Sequence, residues 1–500
     1  MLTIFATTEY ISPVENILQQ EDRLSELIEI KEGSFSPTNQ QHCLLIEKDT
    51  ITVPPSWNYL SPPYLFPENI PFSDKNLLGL IFHLLENDKK SWEYLNGTPL
   101  YKEVENVNKL KYGIPFSPEA SNAQTFREVH NEAVIHHYGL FSPLNGSISA
   151  ESLYEKALGL TDVPELMAFC SRELATRYLD QGLPYKAEPV LRKALKASLS
   201  AESENALKLV LIKIWMQKLV VPYQHEQVER IKKALWEVLT YLEETGDQVQ
   251  AAMLLVDAAH IANISKSYSE ALGYLKRAIS IFEEADMQEM AGSANIKKGT
   301  LLYTWAQDGN PQFYKASIEA YQEALKVFTK EERPDVFADV HHNLAVVYAE
   351  MPADPKRKGI WAGVSSSSFH EALSYFTKER FPYEYGSICN NFGNALSKFP
   401  AAVHTDNHAK ALHYYQEALS VRNIAYPYER SISLLNFLEA SWQVGNEPET
   451  FNEERYQDMV EKAWEVKKLV KDTDMLLEAE AHLDNLYKLK QVVTKESANA

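Results

Sequence analysis

The segment REVHNEAVIHHYG, residues 127–139, carries the most suggestive set of chemically active side chains in this sequence of 500 residues. Glu128, Glu132 and His136 follow one another at intervals of four residues, so a helix would present them on one face. Carboxylates and imidazoles arranged in this way bind iron or zinc when other helices complete the ligand shell. The sequence contains no second ligand set with matching spacing. We therefore interpret the three residues as a solvated helix face and expect no bound metal.

Two other stretches contain reactive residue types without a matching catalytic pattern. The sequence DVHHNL, residues 339–344, contains paired histidines, which we interpret as part of a groove or surface. Cys389 has no histidine or acid placed beside it by a recognisable motif, so we interpret it as a core thiol. The phosphate-binding, dinucleotide-binding, nucleophile-elbow and HExxH motifs are absent from the sequence. We expect no catalytic residue, no cofactor and no enzymatic activity.

A series of asparagines offers binding chemistry in place of catalysis. Its members are Asn295, Asn343, Asn391 and Asn436, with Asn131 and Asn205 as weaker members. In three copies a proline precedes the asparagine by nine residues, at Pro334, Pro382 and Pro427. A carboxamide both donates and accepts hydrogen bonds, so it can pair with a peptide group whatever the side chain. The alternative is that these carboxamides bond within or between the repeated units, or reflect common ancestry alone.

The elements that carry the asparagines repeat along the chain. A small residue followed by a large apolar one recurs at intervals of 37 to 48 residues, with the small residue at Ala157, Ala194, Ala234, Ala278, Ala324, Ala372, Ala418 and Ala463. A large apolar residue stands three positions before each of these alanines, which places both on one helix face. A period of this length holds two helices and two connections, and each unit buries its apolar face against the next. The sequence predicts eight helical hairpins.

The strongest copies resemble a known family. NNFGNAL (residues 390–396) followed by AKALHYYQEAL (residues 409–419) resembles the tetratricopeptide repeat, or TPR. The family's unit is about 34 residues long, and here the extra residues fall in the turns, as in the long-turn TPR arrays found in bacteria beside caspase-like proteases of the CHAT type. The resemblance implies an all-α, right-handed solenoid whose first helices line a concave surface. It also implies that the asparagines of the series bind the main chain of an extended peptide there.

Residues 1–119 break the repeat pattern, and we predict that they form a separate element in front of the repeat array of residues 120–495. They contain 11 of the 24 prolines, and the stretch from Ile51 to Phe72 cannot be a regular helix. Residues 42–53 have the pattern of a strand pair, so this element is a candidate mixed α/β cap. We assign it as a cap, because the end of a solenoid must be shielded from water. A dedicated ligand or partner module is the alternative.

One insertion stands out within the array. The stretch from Met351 to Phe369 mixes proline, glycine and serine with a basic triplet, and we predict an exposed, mobile loop between the two helices of one unit. Its candidate binding residues are Lys356, Arg357, Lys358 and Trp361. We interpret it as a tolerated insertion in a turn, and the alternative is a loop that binds a partner or is sensitive to proteases.

Composition limits the class of partner. The formal net charge is −20, which disfavours non-specific binding to nucleic acid because a phosphate backbone attracts dense positive charge. The three cysteines are far apart, and we expect neither disulfides nor a zinc site. The start of the sequence lacks the pattern of a signal peptide, and the longest apolar stretches fall short of a membrane span. We expect a cytoplasmic protein that binds neither membranes nor nucleic acid.

Three hypotheses about function follow. The first is a non-enzymatic scaffold or adaptor whose concave face binds a peptide or protein segment, and it rests on the repeats. The second is a small metal-dependent enzyme formed by residues 1–119 and the His/Glu helix, with the repeats recruiting substrate. The third is a regulatory partner of a CHAT-type protease on another chain, which the family resemblance alone suggests. We favour the first.

Overall fold

The computed structural model describes residues 2–33, 43–58, 61–117, 122–141, 149–220, 223–400, 406–444 and 451–499. The chain divides into two compact units, Met1–Leu254 and Leu255–Ala500. The predicted boundary between residues 119 and 120 falls inside the first unit. The division into a cap and an array therefore stays a prediction.

A small mixed sheet opens the first unit. Its strands are β1 (Leu2–Ala6), β2 (Ile28–Glu32), β3 (Cys43–Glu47), β4 (Thr50–Thr52) and β5 (Ile70–Pro71), in the order β2-β1-β3-β4-β5. Strand β1 pairs in parallel with β2 and β3, while β3, β4 and β5 pair antiparallel. The predicted strand pair is confirmed as β3 and β4, and the mixed α/β character of the N-terminal element is confirmed with it.

Four helices pack against this sheet, and an irregular segment connects strands β4 and β5. The helices are α1 (Thr8–Leu18), α2 (Asp74–Leu84), α3 (Asp88–Leu95) and α4 (Leu100–Tyr112), and a short 3-10 helix spans Leu24–Glu26. Residues of α1 to α4 share one apolar core with the strands. The described residues between β4 and β5 form neither helix nor strand, as the proline content predicts. We call residues 53–58 and 61–67 the proline-rich segment.

The rest of the described chain is helical. Its helices are α5 (Phe126–Tyr138), α6 (Ala150–Leu158), α7 (Pro164–Asp180), α8 (Pro184–Ala194), α9 (Ala201–Gln217), α10 (His225–Thr245), α11 (Gln248–Ile264), α12 (Tyr268–Glu284), α13 (Gln288–Gln307), α14 (Phe313–Val327), α15 (Pro334–Glu350), α16 (Pro355–Tyr375), α17 (Pro382–Lys398), α18 (Asn407–Val421), α19 (Pro427–Ser441), α20 (Glu453–Leu469) and α21 (Thr473–Asn499). Each predicted packing alanine lies on an even-numbered helix from α6 to α20, which we call second helices. The odd-numbered helices from α5 to α19 are the first helices. The predicted TPR-like hairpins are therefore confirmed, and α21 follows the last of them.

Close approach of a first helix to its second helix explains the small residues. A Cβ added to Gly393 would lie 2.5 Å from Tyr415 Cε1, and one added to Gly299 would lie 2.8 Å from Tyr321 Cε1. The Ser317 hydroxyl donates to the Gly299 carbonyl at 2.7 Å, so the two helices also share a hydrogen bond. The apolar face of each hairpin is thus packed too tightly for a side chain at these glycines.

We expect Gly393→Leu to lower the free energy of unfolding by about 1–3 kcal/mol, because the new side chain must displace the buried ring of Tyr415. Gly363→Leu is the matched control, since Gly363 is an exposed helical glycine whose added Cβ would meet no atom within 4 Å. Denaturant titration of both variants measures the difference. Equal stability of the two variants would contradict this register of the hairpin.

The predicted loop from Met351 to Phe369 is wrong, because most of it belongs to α16. Asp354 caps this helix by accepting a hydrogen bond from the Arg357 amide at 3.0 Å, and Pro355 occupies the first helical position. The indole of Trp361 stacks on Tyr348 of α15 with ring centroids 5.4 Å apart. Glycine and serine suggest a loop by local preference, but packing and capping favour the helix here.

Candidate peptide-binding surface

The asparagine series lies on the first helices of the second unit. Asn343, Asn391 and Asn436 are half-buried on α15, α17 and α19, whereas Asn295 is 7% exposed on α13. The Asn295 carboxamide donates to the Ala291 carbonyl of its own helix at 3.2 Å. The half-buried three are thus the members that an incoming segment could reach.

Asn295 does not belong to the series by position. Gly292 and Gly386 each lie against the end of the second helix that follows. A Cβ added to Gly292 would lie 2.8 Å from the Phe328 side chain, and a Cβ added to Gly386 would lie 2.8 Å from the Val421 side chain. Asn391 lies five residues after its glycine, but Asn295 lies only three residues after the equivalent glycine. The predicted equivalence of Asn295 is therefore wrong, and Lys297 occupies the corresponding place.

The half-buried asparagines make hydrogen bonds within the second unit. The Asn391 amide donates to His342 Nε2 at 3.0 Å, which joins α17 to α15. The Asn436 amide donates to Asn390 Oδ1 at 3.1 Å, which joins α19 to α17. Asn343 donates to the Asp339 carbonyl of its own helix at 3.0 Å. These bonds fit the alternative of repeat-to-repeat contacts, and peptide binding by the series stays a prediction.

In the first unit, a carboxamide of the series already holds a main chain. Asn131 on α5 accepts from the Leu65 amide at 2.9 Å and donates to the Leu65 carbonyl at 2.8 Å. The neighbouring His130 donates from Nε2 to the Pro63 carbonyl at 3.0 Å. Pro63 and Leu65 belong to the proline-rich segment, which therefore lies across α5. The Tyr64 amide donates to the Pro62 carbonyl at 2.8 Å, so the chain makes a tight turn at Pro63. Asn131, a weaker member of the predicted series, is its best-placed member.

The same segment is anchored on the next first helix, α7. The Trp57 indole packs edge-on against Phe169 with ring centroids 5.1 Å apart, and Arg172 donates to the Trp57 carbonyl at 2.9 Å. Arg172 also pairs with Glu173 at 2.6 Å, and both side chains are only 4% exposed. A buried ion pair and an aromatic contact thus hold the far end of the segment.

Burial keeps three histidines of the described chain neutral. Desolvation lowers the pKa of His130 and of His342 from 6.5 to about 4, and the pKa of His83 on α2 to about 4 as well. A neutral imidazole keeps one nitrogen as a donor and the other as an acceptor. His130 uses its donor on the segment, while His342 uses its acceptor on Asn391.

We expect acid to destabilise the first unit through His130. In the unfolded chain His130 binds a proton below about pH 6.5, whereas in the folded state its lowered pKa lets it bind one only near pH 4. The contribution of neutral His130 to folding stability is therefore complete above pH 6.5 and falls as the pH falls. At pH 5.5 the loss is about 1.3 kcal/mol relative to pH 7.5. Denaturant unfolding of wild type and His130→Gln at both pH values measures it. An identical acid dependence in the two proteins would refute the assignment.

The His/Glu set of α5 is engaged in local structure. The Glu128 carboxylate accepts from the Gln124 and Thr125 amides at 3.1 Å and forms a capping box with Thr125. These bonds lower the pKa of Glu128. His136 stacks on Phe141 with ring centroids 5.0 Å apart. In the part of the chain that the structure describes, no group of three or more histidine, cysteine, aspartate or glutamate side chains is arranged to hold a metal ion.

The remaining candidate residues take different places. Lys356, Arg357 and Lys358 form the exposed first turn of α16. Asn205 is another weaker member of the series, and its amide donates to the Ala201 carbonyl of its own helix at 2.7 Å. Cys389 is buried on α17, and burial raises the pKa of its thiol to about 12. None of the described helices is long and apolar enough to cross a membrane.

Known helical-repeat proteins are among the matches of this chain. The family model of soluble NSF attachment protein, SNAP, matches residues 226–381. The P58(IPK) TPR domain shares 13% identity, covering 68% of this chain and 93% of its own, with a TM-score of 0.18. A circular tandem repeat protein with novel repeat topology and enhanced subunit contact surfaces shares 12% identity, covering 85% of this chain and 96% of its own, with a TM-score of 0.21. No curated protein matches the chain.

The helical hairpins and the matched family model define the class of this protein. The chain is a TPR-like helical-repeat scaffold, an architecture suited to protein–protein interaction. The resemblance to arrays that accompany CHAT-type proteases stays a prediction.

Proposed function

We propose that this protein is an interaction adaptor that binds an extended peptide segment on the first-helix face of its second unit. Asn343, Asn391 and Asn436 would pair with the main chain of that segment. The observation that carries the proposal is the grip of Asn131 on both peptide groups of Leu65. The chain therefore contains one example of a first-helix carboxamide that binds the main chain of another segment.

The half-burial of the three asparagines supports this role. A side chain already covered by a bound segment is hidden, as Asn131 is at 4% exposure. Asn343, Asn391 and Asn436 are only partly covered on three first helices in succession. A segment that crosses these helices would meet one carboxamide per repeat, and main-chain pairing would tolerate different side chains.

Loss of one carboxamide should weaken peptide binding and leave the fold unchanged. Removing the Asn343 side chain leaves a peptide group of the ligand unpaired at about 1–3 kcal/mol, or about tenfold to a hundredfold in affinity. A phage-displayed library of random dodecapeptides, selected on the full chain, supplies the ligand. Its affinity is then compared for wild type, Asn343→Ala and Asn391→Ala, together with the melting temperature.

Gln416→Ala is the matched control, because Gln416 carries an exposed carboxamide on a second helix, α18, and not on a first helix. We expect this variant to bind the selected peptides like wild type. Unchanged binding by Asn343→Ala and Asn391→Ala, with a lower melting temperature, would assign the series to repeat-to-repeat hydrogen bonds and refute the proposed function.

A further inference from the structure

Two first helices carry the same local sequence around their histidine and asparagine. Residues 130–134 read HNEAV on α5, and residues 342–346 read HNLAV on α15. The alanine of each pattern, Ala133 or Ala345, is fully buried. Each histidine also lies against the same position of its second helix, three residues before the packing alanine: the ring centroids are 5.8 Å apart for His130 and Tyr154 and 6.1 Å apart for His342 and Phe369. The two histidines therefore face their second helices in the same way.

The pair on α5 is fully covered, and the pair on α15 is only partly covered. Under the proline-rich segment, His130 is 0% exposed and Asn131 is 4% exposed. His342 and Asn343 are both half-buried. In the first unit, His130 Nε2 donates to the Pro63 carbonyl. In the second unit, the equivalent atom, His342 Nε2, accepts from the Asn391 amide. Asn391 thus occupies the hydrogen-bonding position that a ligand carbonyl takes on α5.

We propose that the His342–Asn343 pair binds a proline-containing segment in the way that His130 and Asn131 bind Pro63 to Leu65. This inference rests on the proposed function and names its ligand class. The ligand carbonyl replaces Asn391 on His342, whose neutral ring turns its Nε2 into a donor by moving its proton between the two nitrogens. The displaced Asn391 carboxamide becomes available to the next peptide group of the ligand.

The required ligand follows from the contacts of the bound segment. The histidine and the asparagine contact main-chain groups of residues two apart, Pro63 and Leu65, on either side of Tyr64. The Tyr64 amide donates to the Pro62 carbonyl at 2.8 Å, so the bound chain turns at Pro63. Proline at the first of these positions has no amide hydrogen that would be left unpaired against the helix, and its restricted φ lowers the entropy lost on binding. Leu65 at the second position is buried, so the ligand carries a large apolar residue there. The motif is proline, any residue, then a large apolar residue.

A synthetic peptide of residues 61–67, SPPYLFP, tests this inference on the full chain. The pair on α5 is filled by the tethered segment, so the peptide should bind at α15 with one site per chain. We expect Asn343→Ala to weaken this binding tenfold to a hundredfold and Gln416→Ala, which removes an exposed carboxamide on the second helix α18, to leave it unchanged. SPAYLFP, with alanine for the second proline, should bind several-fold more weakly than SPPYLFP.

The outcomes separate the ligand class from the proposed function. Equal affinity of SPPYLFP and SPAYLFP, with both lost in Asn343→Ala, would overturn the proline preference and support the peptide-binding face. Binding of SPPYLFP that Asn343→Ala does not weaken would overturn the inference, since the peptide would then lie elsewhere or displace the tethered segment. Failure of SPPYLFP to bind, while library peptides without proline bind through Asn343, would overturn the ligand class alone. If neither SPPYLFP nor the library peptides bind, both the inference and the proposed function are overturned.

Discussion

Asn131→Ala is expected to lower the free energy of unfolding of the first unit by about 2–5 kcal/mol, because it leaves both peptide groups of buried Leu65 without their partner. Each unpaired buried group costs about 1–3 kcal/mol. Release of the proline-rich segment should relieve part of this cost, since a freed backbone bonds to water. Denaturant titration measures the stability, and limited proteolysis within residues 53–67 measures the release.

Two variants sharpen this test. Asn205→Ala removes a half-buried carboxamide that donates to the Ala201 carbonyl of its own helix, so its stability should change much less than that of Asn131→Ala. Asn131→Asp keeps an acceptor for the Leu65 amide but places a carboxylate oxygen against the Leu65 carbonyl, so it should be as unstable as the alanine variant. Wild-type stability and protease resistance in Asn131→Ala would show that the carboxamide does not hold the segment.

Arg172→Met is expected to cost about 3–5 kcal/mol, because it leaves Glu173 as a buried charge without its ion-pair partner. The Arg172 guanidinium also donates to the Trp57 carbonyl and lies 5.1 Å from the Trp57 ring centroid. Its loss should therefore loosen the same segment that Asn131 holds. Urea unfolding measures the loss of stability, and limited proteolysis within residues 53–58 reports the loosening.

The double variant Arg172→Met/Glu173→Leu separates charge from packing. Apolar replacement of a buried ion pair is often neutral or stabilising, so this variant should recover most of the stability lost in Arg172→Met. Lys208→Met is the control, because Lys208 pairs with Glu204 and Glu237 at the surface, where such pairs contribute about 1 kcal/mol or less. A double variant as unstable as Arg172→Met would attribute the cost to the Trp57 contacts and not to the ion pair.

The amino-acid sequence by itself determined the repeats of this protein. The alanine spacing of the second helices predicted each of them, because one turn of helix places residues three and four apart on the same face and burial selects small residues there. The non-helical course of the proline-rich segment was also predictable, since proline removes a backbone donor and cannot continue a helix. These are properties of neighbouring residues along the chain.

Only the tertiary structure decided which residues meet across the chain. Glycines and serines indicate a loop at residues 355–369, yet Asp354 caps a helix there and Trp361 packs it onto Tyr348. Asn295 has the right residue type, but the packing of Gly292 places it out of register. Asn131 binds Leu65, 66 residues earlier in the sequence, and such a pairing depends on packing that local patterns do not encode.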